Sequence, residues 1–240
     1  MAERIPDGLV ALTFDDGPKS QATFAAPLLE RHGFGATFYI TEGLNFLKDK
    51  ERYMSWEEVA DLDARGFEIG NHTRHHKNVT TQGRDELLAD IEHIDRRCAQ
   101  YGIRRPTTFC YPGYGYDDAS VTVVAERGFA FARRGTAPEF DYNQEGGRGP
   151  AYDPGAHDPL LVPTTGAAGP DWTFDDFLWA LDQARDGRVC VLTFHGVPDL
   201  DHPWVHADPD FFAACVEHLA TNGHRVIALR DLARFVEPAA

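Results

Sequence analysis

A nearly continuous apolar run, Leu9 to Phe14, stops abruptly at two aspartates. A short apolar run bounded by turn residues predicts a strand buried on both faces. The same reading places strands over Ala36 to Ile40, Phe67 to Gly70, Thr107 to Tyr111, Phe129 to Arg133, Val189 to Phe194 and Val226 to Leu229. Between them lie amphipathic segments with apolar residues at helical spacing: Gln21 to His32, Trp56 to Arg65, Arg84 to Tyr101, Asp118 to Arg127, Phe174 to Asp186 and Pro209 to Asn222. Gly33, Gly66, Gly102, Gly128, Gly187 and Gly223 stand where helix C-caps want glycine. Strand, helix and glycine recur roughly every 25 to 40 residues, which predicts parallel strands joined by crossover helices. The expected fold class is α/β, a sheet or barrel of about seven parallel strands covered on its outer side.

Composition narrows this only a little. A chain of 240 residues, 42% hydrophobic and 25% charged, can bury a large core. No low-complexity linker divides it, so residues 1–240 are expected to form one domain, with a long Gly/Pro-rich loop over Asn143 to Pro159. The net charge of −15 disfavours nucleic acid and anionic membrane surfaces as partners, and no basic patch offsets it. The sequence has neither a membrane-length apolar run nor a basic, then apolar, start. It is expected to be soluble, which leaves both a cytoplasmic origin and export with a removed leader open. Cys98, Cys110, Cys190 and Cys215 lack CxxC spacing and are expected to be free thiols.

The unusual polar residues fall at the C-terminal ends of the predicted strands. Asp15 and Asp16 close the first, His72 and His76 follow the third, Tyr111 and Pro112 end the fourth, and His195 ends the Val189 strand. In parallel α/β architectures the loops at that edge face one another, so distant residues converge there. Asp15-Asp16-Gly17-Pro18 also reads as an ordinary turn. The second cluster is more specific: imidazoles at i and i+4 share one face of a helical turn, and an aspartate with two histidines is a facial ligand set for zinc or a related metal. His75 is the expected bystander, because only one ring can pair with His72 at that spacing. His195, ending an apolar strand on the same edge, is a candidate general acid.

These residues resemble the polysaccharide deacetylases, the NodB-homology domains of carbohydrate esterase family 4. Thr13-Phe14-Asp15-Asp16-Gly17-Pro18 reproduces that family's TFDDGP, His72-Thr73-Arg74-His75-His76 fits its H(S/T)xxH, and Leu192-Thr193-Phe194-His195 fits its LxxH, all in family order. The resemblance implies a distorted (β/α) barrel, with Asp16, His72 and His76 as metal ligands, Asp15 as general base and His195 as general acid. It also implies a divalent metal, zinc first with Co²⁺, Ni²⁺ or Mn²⁺ as alternatives, and an acetylated carbohydrate as substrate. The metal and a backbone N–H would hold the oxyanion, and Tyr111, Pro112 and Gly113 are expected to bind the oxyanion or the substrate.

One motif departs from the pattern. Where many relatives have Arg-Pro-Pro-Tyr, this chain reads Phe109-Cys110-Tyr111-Pro112-Gly113-Tyr114. The missing arginine would have paired with the catalytic aspartate, so a substitute cation is needed to keep Asp15 ionised. Arg133 is the candidate, since it follows Phe129 and Phe131 at strand spacing, whereas Arg134 would point to the opposite face. Asp171-Trp172 is the candidate for the family's Asp-Trp pair, and Trp204, in a polar and aromatic stretch after His195, is a candidate sugar platform. N-acetyl hydrolysis on amino sugars leads. O-acetyl removal as from xylan, amide hydrolysis as in allantoinase-like and imidase relatives, and a non-catalytic carbohydrate-binding relative are the alternatives. Nothing in the sequence sets the oligomeric state.

Overall fold

A computed structural model describes residues 3–141 and 145–239. Eight parallel strands are present among them: β1 (Leu9–Phe14), β2 (Thr37–Ile40), β3 (Glu68–Asn71), β4 (Thr108–Cys110), β5 (Phe131–Arg133), β6 (Gly166–Ala167), β7 (Cys190–Phe194) and β8 (Arg225–Ile227). Seven of them run in the order β5-β4-β3-β2-β1-β7-β6. β8 lies off this path. It pairs with the first half of β1, from Leu9↔Arg225 to Ala11↔Ile227, while β2 takes the second half at Thr13↔Thr37 and Phe14↔Phe38.

The sheet curls until its two edges nearly meet. The segment from Val162 to β6 spans the gap: Arg134 N–H donates to Val162 O at 2.9 Å on one side, and Thr165 N–H donates to Val191 O at 2.8 Å on the other. The result is the distorted barrel expected. The sequence reading missed β6, because two small residues, Gly166 and Ala167, carry no apolar period.

Helices clothe the outside: a π-helical turn (Gln21–Ala25) leading into α1 (Ala26–Arg31), then α2 (Trp56–Ala64), α3 (Arg84–Gln100), α4 (Asp118–Glu126), α5 (Phe174–Asp182) and α6 (Pro209–Thr221). Ser55 with Glu58, and Thr173 with Asp176, form reciprocal capping boxes that satisfy free N–H groups at the starts of α2 and α5. All six glycines expected to end helices have positive φ, from 66° at Gly33 to 98° at Gly66. Of the expected Asn143–Pro159 loop, Asn143 and Gln144 lie outside the described residues. The β pairing of the remainder is limited to isolated bridges, Arg148 to Gly166 and Tyr152 to Val189, and a 3-10 turn opens at Pro159. No helix among the described residues is long and apolar enough to cross a membrane.

Strand alternation divides the core. Val10, Leu12 and Phe14 of β1 face outward into the layer under the helices, where Phe14 meets Phe38, Phe194 and Phe212. Leu9 and Ala11 face into the barrel with Tyr39, Cys110, Phe131, Val189 and Val191. Each large apolar side chain buried this way contributes about 1.5–3 kcal/mol. Continued by the same period of two, the inward column of β1 ends at Asp15, that of β5 at Arg133 and that of β7 at His195.

Candidate active site

Those inward columns end together at the C-terminal mouth of the barrel. Asp15, one residue beyond β1, is buried, and Arg133 Nη2 lies 2.6 Å from its Oδ1 and 2.5 Å from its Oδ2. Arg133 is itself fully buried. It spends Nη1 on Thr164 Oγ1 at 3.0 Å, and Thr164 leads through Thr193 to Thr13 in a ladder of hydroxyls across the barrel. Cys110 is the direct cross-strand partner of Arg133, and its thiol sits 2.8 Å from Arg133 Nη2 and 3.7 Å from Asp15 Oδ2. Burial raises the Asp15 carboxyl, but Arg133, then His72 and His195, bring it below its ordinary value. Arg134 is buried as well rather than solvated. It turns the other way, to the carbonyls of Leu161, Gly135 and Ala137 and to Glu139.

Asp16 occupies the left-handed region at φ 75°, which swings its carboxylate out of the strand period and toward the histidines. His72 Nδ1 donates to the Cys110 carbonyl at 2.8 Å, because a carbonyl can only accept. That leaves Nε2 of His72 facing Asp16 Oδ1 at 3.4 Å, with His76 Nε2 at 3.1 Å from the same oxygen. Burial raises Asp16 too, but the imidazoles of His72 and His76 beside it carry it well below the usual carboxylate range. His72 and His76 converge, but not on the helical turn the sequence suggested. The segment after β3 is an irregular bend, with Thr73 at φ 61° and His76 at φ 55°. It is held by Asn71 Oδ1, which accepts from Thr73 N at 3.0 Å, and by Thr73 Oγ1, which accepts from His76 N at 3.2 Å. His75 turns away to Asp90, Nδ1 to Oδ1 2.7 Å.

This triplet fits a metal ion. Asp16 Oδ1 is buried and has no hydrogen-bond partner, its two imidazole neighbours being close but not directed as hydrogen bonds. The three ligand atoms lie within 4.8 Å of one another. Tetrahedral ligands at about 2.0–2.1 Å from zinc are themselves about 3.3–3.4 Å apart, close to the two separations seen. A second grouping, Asp15, His72 and Cys110, is less suited. Arg133 already occupies Asp15, burial holds the Cys110 thiol well above its ordinary value, and His72 cannot serve both sets.

His195 closes the group, with Nε2 3.8 Å from Asp15 Oδ2 and 3.9 Å from Asp16 Oδ2. Gln21, read from sequence only as a helix start, ties the ends of β1 and β7 together. Its amide donates to Asp15 O at 2.5 Å and to His195 O at 3.2 Å. Above these residues opens a cleft of 440 Å³ lined by Asp15, Asp16, His72, His76 and His195, and further by Gly113, Tyr114, Ala167, Ala168, Leu44, His202, Trp204 and Val205.

Three expected site residues sit elsewhere. Tyr111 is fully buried: its N–H donates to Arg133 O at 3.1 Å and its hydroxyl to Leu160 O at 3.1 Å, so it is no oxyanion donor. Pro112 is buried, absent from the cleft wall, and has no N–H to give. Trp172 is a core residue. Its indole packs on Phe177 and Phe211 and lies so close behind Gly166 that a Cβ there would meet it at 2.5 Å. Gly113 and the 65% exposed Trp204 do line the cleft. Tyr114 and His202 line it as well without having been singled out from the sequence.

The model of the polysaccharide deacetylase family matches residues 2–132, more than half of the chain. A peptidoglycan-N-acetylglucosamine deacetylase of Bacillus cereus is 29% identical over 123 residues, which cover 50% of this chain and 54% of that protein. The match thus spans about half of that curated relative. Two solved structures share the fold at low identity. A family 4 carbohydrate esterase from Streptomyces lividans, in complex with acetate, has a TM-score of 0.60 at 18% identity, over 98% of this chain and 97% of that one. The family 4 carbohydrate esterase PdaA of Bacillus subtilis has a TM-score of 0.63 at 16% identity, over 97% and 83%. With the fold, the motif order and the family match in agreement, the chain belongs to the polysaccharide deacetylase family.

Proposed function

We propose that this chain is a metal-dependent hydrolase that removes acetyl groups from an acetylated carbohydrate, with the N-acetyl group of an amino sugar as the reacting group. The observation that carries this reading is the unpartnered, buried Asp16 Oδ1 between two imidazole nitrogens, beside an aspartate held ionised by its own arginine. A divalent cation held by Asp16, His72 and His76, zinc or one of its substitutes Co²⁺, Ni²⁺ and Mn²⁺, would polarise the acetyl carbonyl and acidify a water.

Asp15 takes the proton of the attacking water, and Arg133 keeps its carboxylate charged and turned into the cleft. His195 gives a proton from Nε2 to the departing amine. The two groups stand on neighbouring strands within 3.8 Å, so proton acceptor and donor face the same small volume. Of Tyr111, Pro112 and Gly113, expected at the oxyanion or the substrate, Gly113 alone lines the cleft, and the N–H for the developing oxyanion is assigned to it. Trp204 offers an exposed face on which a sugar can lie. The relocated cation favours deacetylation over a redirected or non-catalytic relative, because the base retains the counter-charge that the altered motif had removed.

The test is acetate release from N-acetylated chitooligosaccharides, with O-acetylated xylan in parallel, before and after chelation. Release that stops with chelator and returns with added zinc is expected. Binding without release from either substrate, or release indifferent to chelator, would overturn the reading. Metal content should fall in His72→Ala and His76→Ala and stay unchanged in His75→Ala, whose ring points to Asp90.

A further inference from the structure

The segment from Gly196 to His206 forms one wall of the cleft, and it is built as a closed loop. Ala207 N–H donates to Gly196 O at 3.2 Å, so the ends of the loop meet. Ser20 Oγ pins its start, donating to Pro198 O at 2.8 Å and accepting from Val197 N at 2.9 Å. Arg52 reaches across from the β2–α2 connection to Asp201. At the centre lies Asp199, 4% exposed, whose carboxylate accepts from the N–H groups of Gly196 (3.3 Å), Asp201 (3.1 Å) and His202 (2.8 Å). Gly196 packs so closely on this hub that a Cβ would come within 2.6 Å of Asp199.

The hub holds one side chain toward the cleft. His202 lines the cleft, tied to Asp199 Oδ1 by its backbone N–H; its ring Nδ1 stands 3.5 Å from the same oxygen, close but not directed as a hydrogen bond, and Nε2 is the nitrogen on the side of the ring away from that carboxylate. Its ring meets Trp204 edge to face at 5.3 Å and Tyr53 at 6.4 Å, so it cannot swing freely. An imidazole and an exposed indole therefore stand side by side in the wall of the cleft that the metal triplet also lines. A sugar hydroxyl both gives and takes a hydrogen bond, and so suits the outer nitrogen in either protonation state of the ring. A carboxylate would suit only one of them, and would stand near Asp199.

We propose that His202, positioned by Asp199, is a substrate-binding residue that hydrogen-bonds a hydroxyl of the sugar adjoining the reacting one, whose face rests on Trp204. This rests on the deacetylase reading above and adds a specificity determinant to it.

The experiment compares N-acetylglucosamine with its tetramer in the metal-loaded protein. In wild type, kcat/KM should favour the tetramer, and His202→Ala should reduce that preference about tenfold, the worth of one hydrogen bond, through KM rather than kcat. Trp204→Ala should do the same, and Asp199→Asn should follow in the same direction, as expected of a residue acting through His202. Leu200→Ser, on the same loop but 76% exposed, should leave the preference intact. Tryptophan fluorescence titrated with the tetramer reads binding without turnover. Equal loss of kcat on both substrates in His202→Ala would overturn the proposal, as would an unchanged preference. No acetate release, with tetramer binding that still depends on His202, would sink the reaction and leave the sugar site standing. Acetate release that never depends on chain length would do the reverse.

Discussion

The barrel interior buries two carboxylates at opposite ends, and they are held in opposite ways. Asp15, at the C-terminal mouth, faces a guanidinium that contacts both its oxygens. Glu68, at the N-terminal end of β3, faces only neutral donors: Thr37 Oγ1 at 2.6 Å, Thr108 Oγ1 at 2.8 Å and the Arg230 N–H at 2.9 Å. The Arg230 guanidinium close by is spent on the Gly66 and Phe67 carbonyls, and Arg104 on Phe67 and Asp63. Burial raises both carboxyls. Arg133 reverses that for Asp15, whereas the hydroxyls and amide around Glu68 do not, and it stays above its ordinary value. A counter-ion thus decides which buried acid is held toward its charged form and which toward its neutral one. Backbone strain follows the same division. Of the seven non-glycine residues with positive φ among those described, Asp16, Leu44, Asn45, Thr73, His76 and Tyr114 lie in loops at the C-terminal mouth, and only Asp186 lies at the other end. Such conformations cost about 1–3 kcal/mol each and persist where the surroundings impose them.

The contrast breaks most sharply at Asp15. Asp15→Asn removes the proposed base but keeps the shape, and should lower turnover by about 10²–10⁴ with metal content unchanged. Loss of metal instead would mean that Asp15 and Asp16 have exchanged roles. Arg133→Ala strands the buried Asp15 charge and should destabilise the fold by about 3–5 kcal/mol, read by chemical denaturation. Combining it with Asp15→Asn should recover much of that loss, because no unpaired charge remains. If the double variant is as unstable as the sum of the two singles, Arg133 is held by packing rather than by its partner.

How far the sequence foretold these features depended on whether a period governed them. The unbroken run of β1 gave its limits to the residue, and the period of two from Phe131 to Arg133 aimed Arg133 at the interior where Asp15 stands, although Phe129, ahead of the strand, packs in the outer layer. The same period, applied to β4, puts Thr108 and Cys110 inward and so turns Tyr111 outward, a signal that the motif comparison overrode. His72 and His76 meet through a bend with two left-handed residues, and spacing alone cannot tell such a bend from a helical turn. Trp172 follows an aspartate as the family pair does, yet the small residues of β6 make room for its indole in the core. Gln21 and His202 escaped notice because loop closure, not periodicity, brings them to the mouth.

The smallest effect belongs to Glu68, the acid held toward its neutral form. Its carboxyl is raised in the folded chain, so between the unfolded and the folded values the folded state binds more proton than the unfolded state does. The stabilising contribution is therefore complete below the unfolded value near 4.5 and is lost as pH rises through the higher folded value. Glu68→Gln cannot ionise and keeps an acceptor for the hydroxyls, so its stability should exceed that of wild type at neutral pH, on the order of 1 kcal/mol. The advantage should shrink as pH falls toward 4.5 and the wild-type carboxyl becomes protonated. Urea denaturation of both proteins at several pH values reads the difference directly, and acetate release should not change, since Glu68 lies at the far end of the barrel from the cleft. A wild type that gains on the variant as pH rises would mean that Glu68 is ionised in place, with a cation nearer than the neutral donors around it suggest.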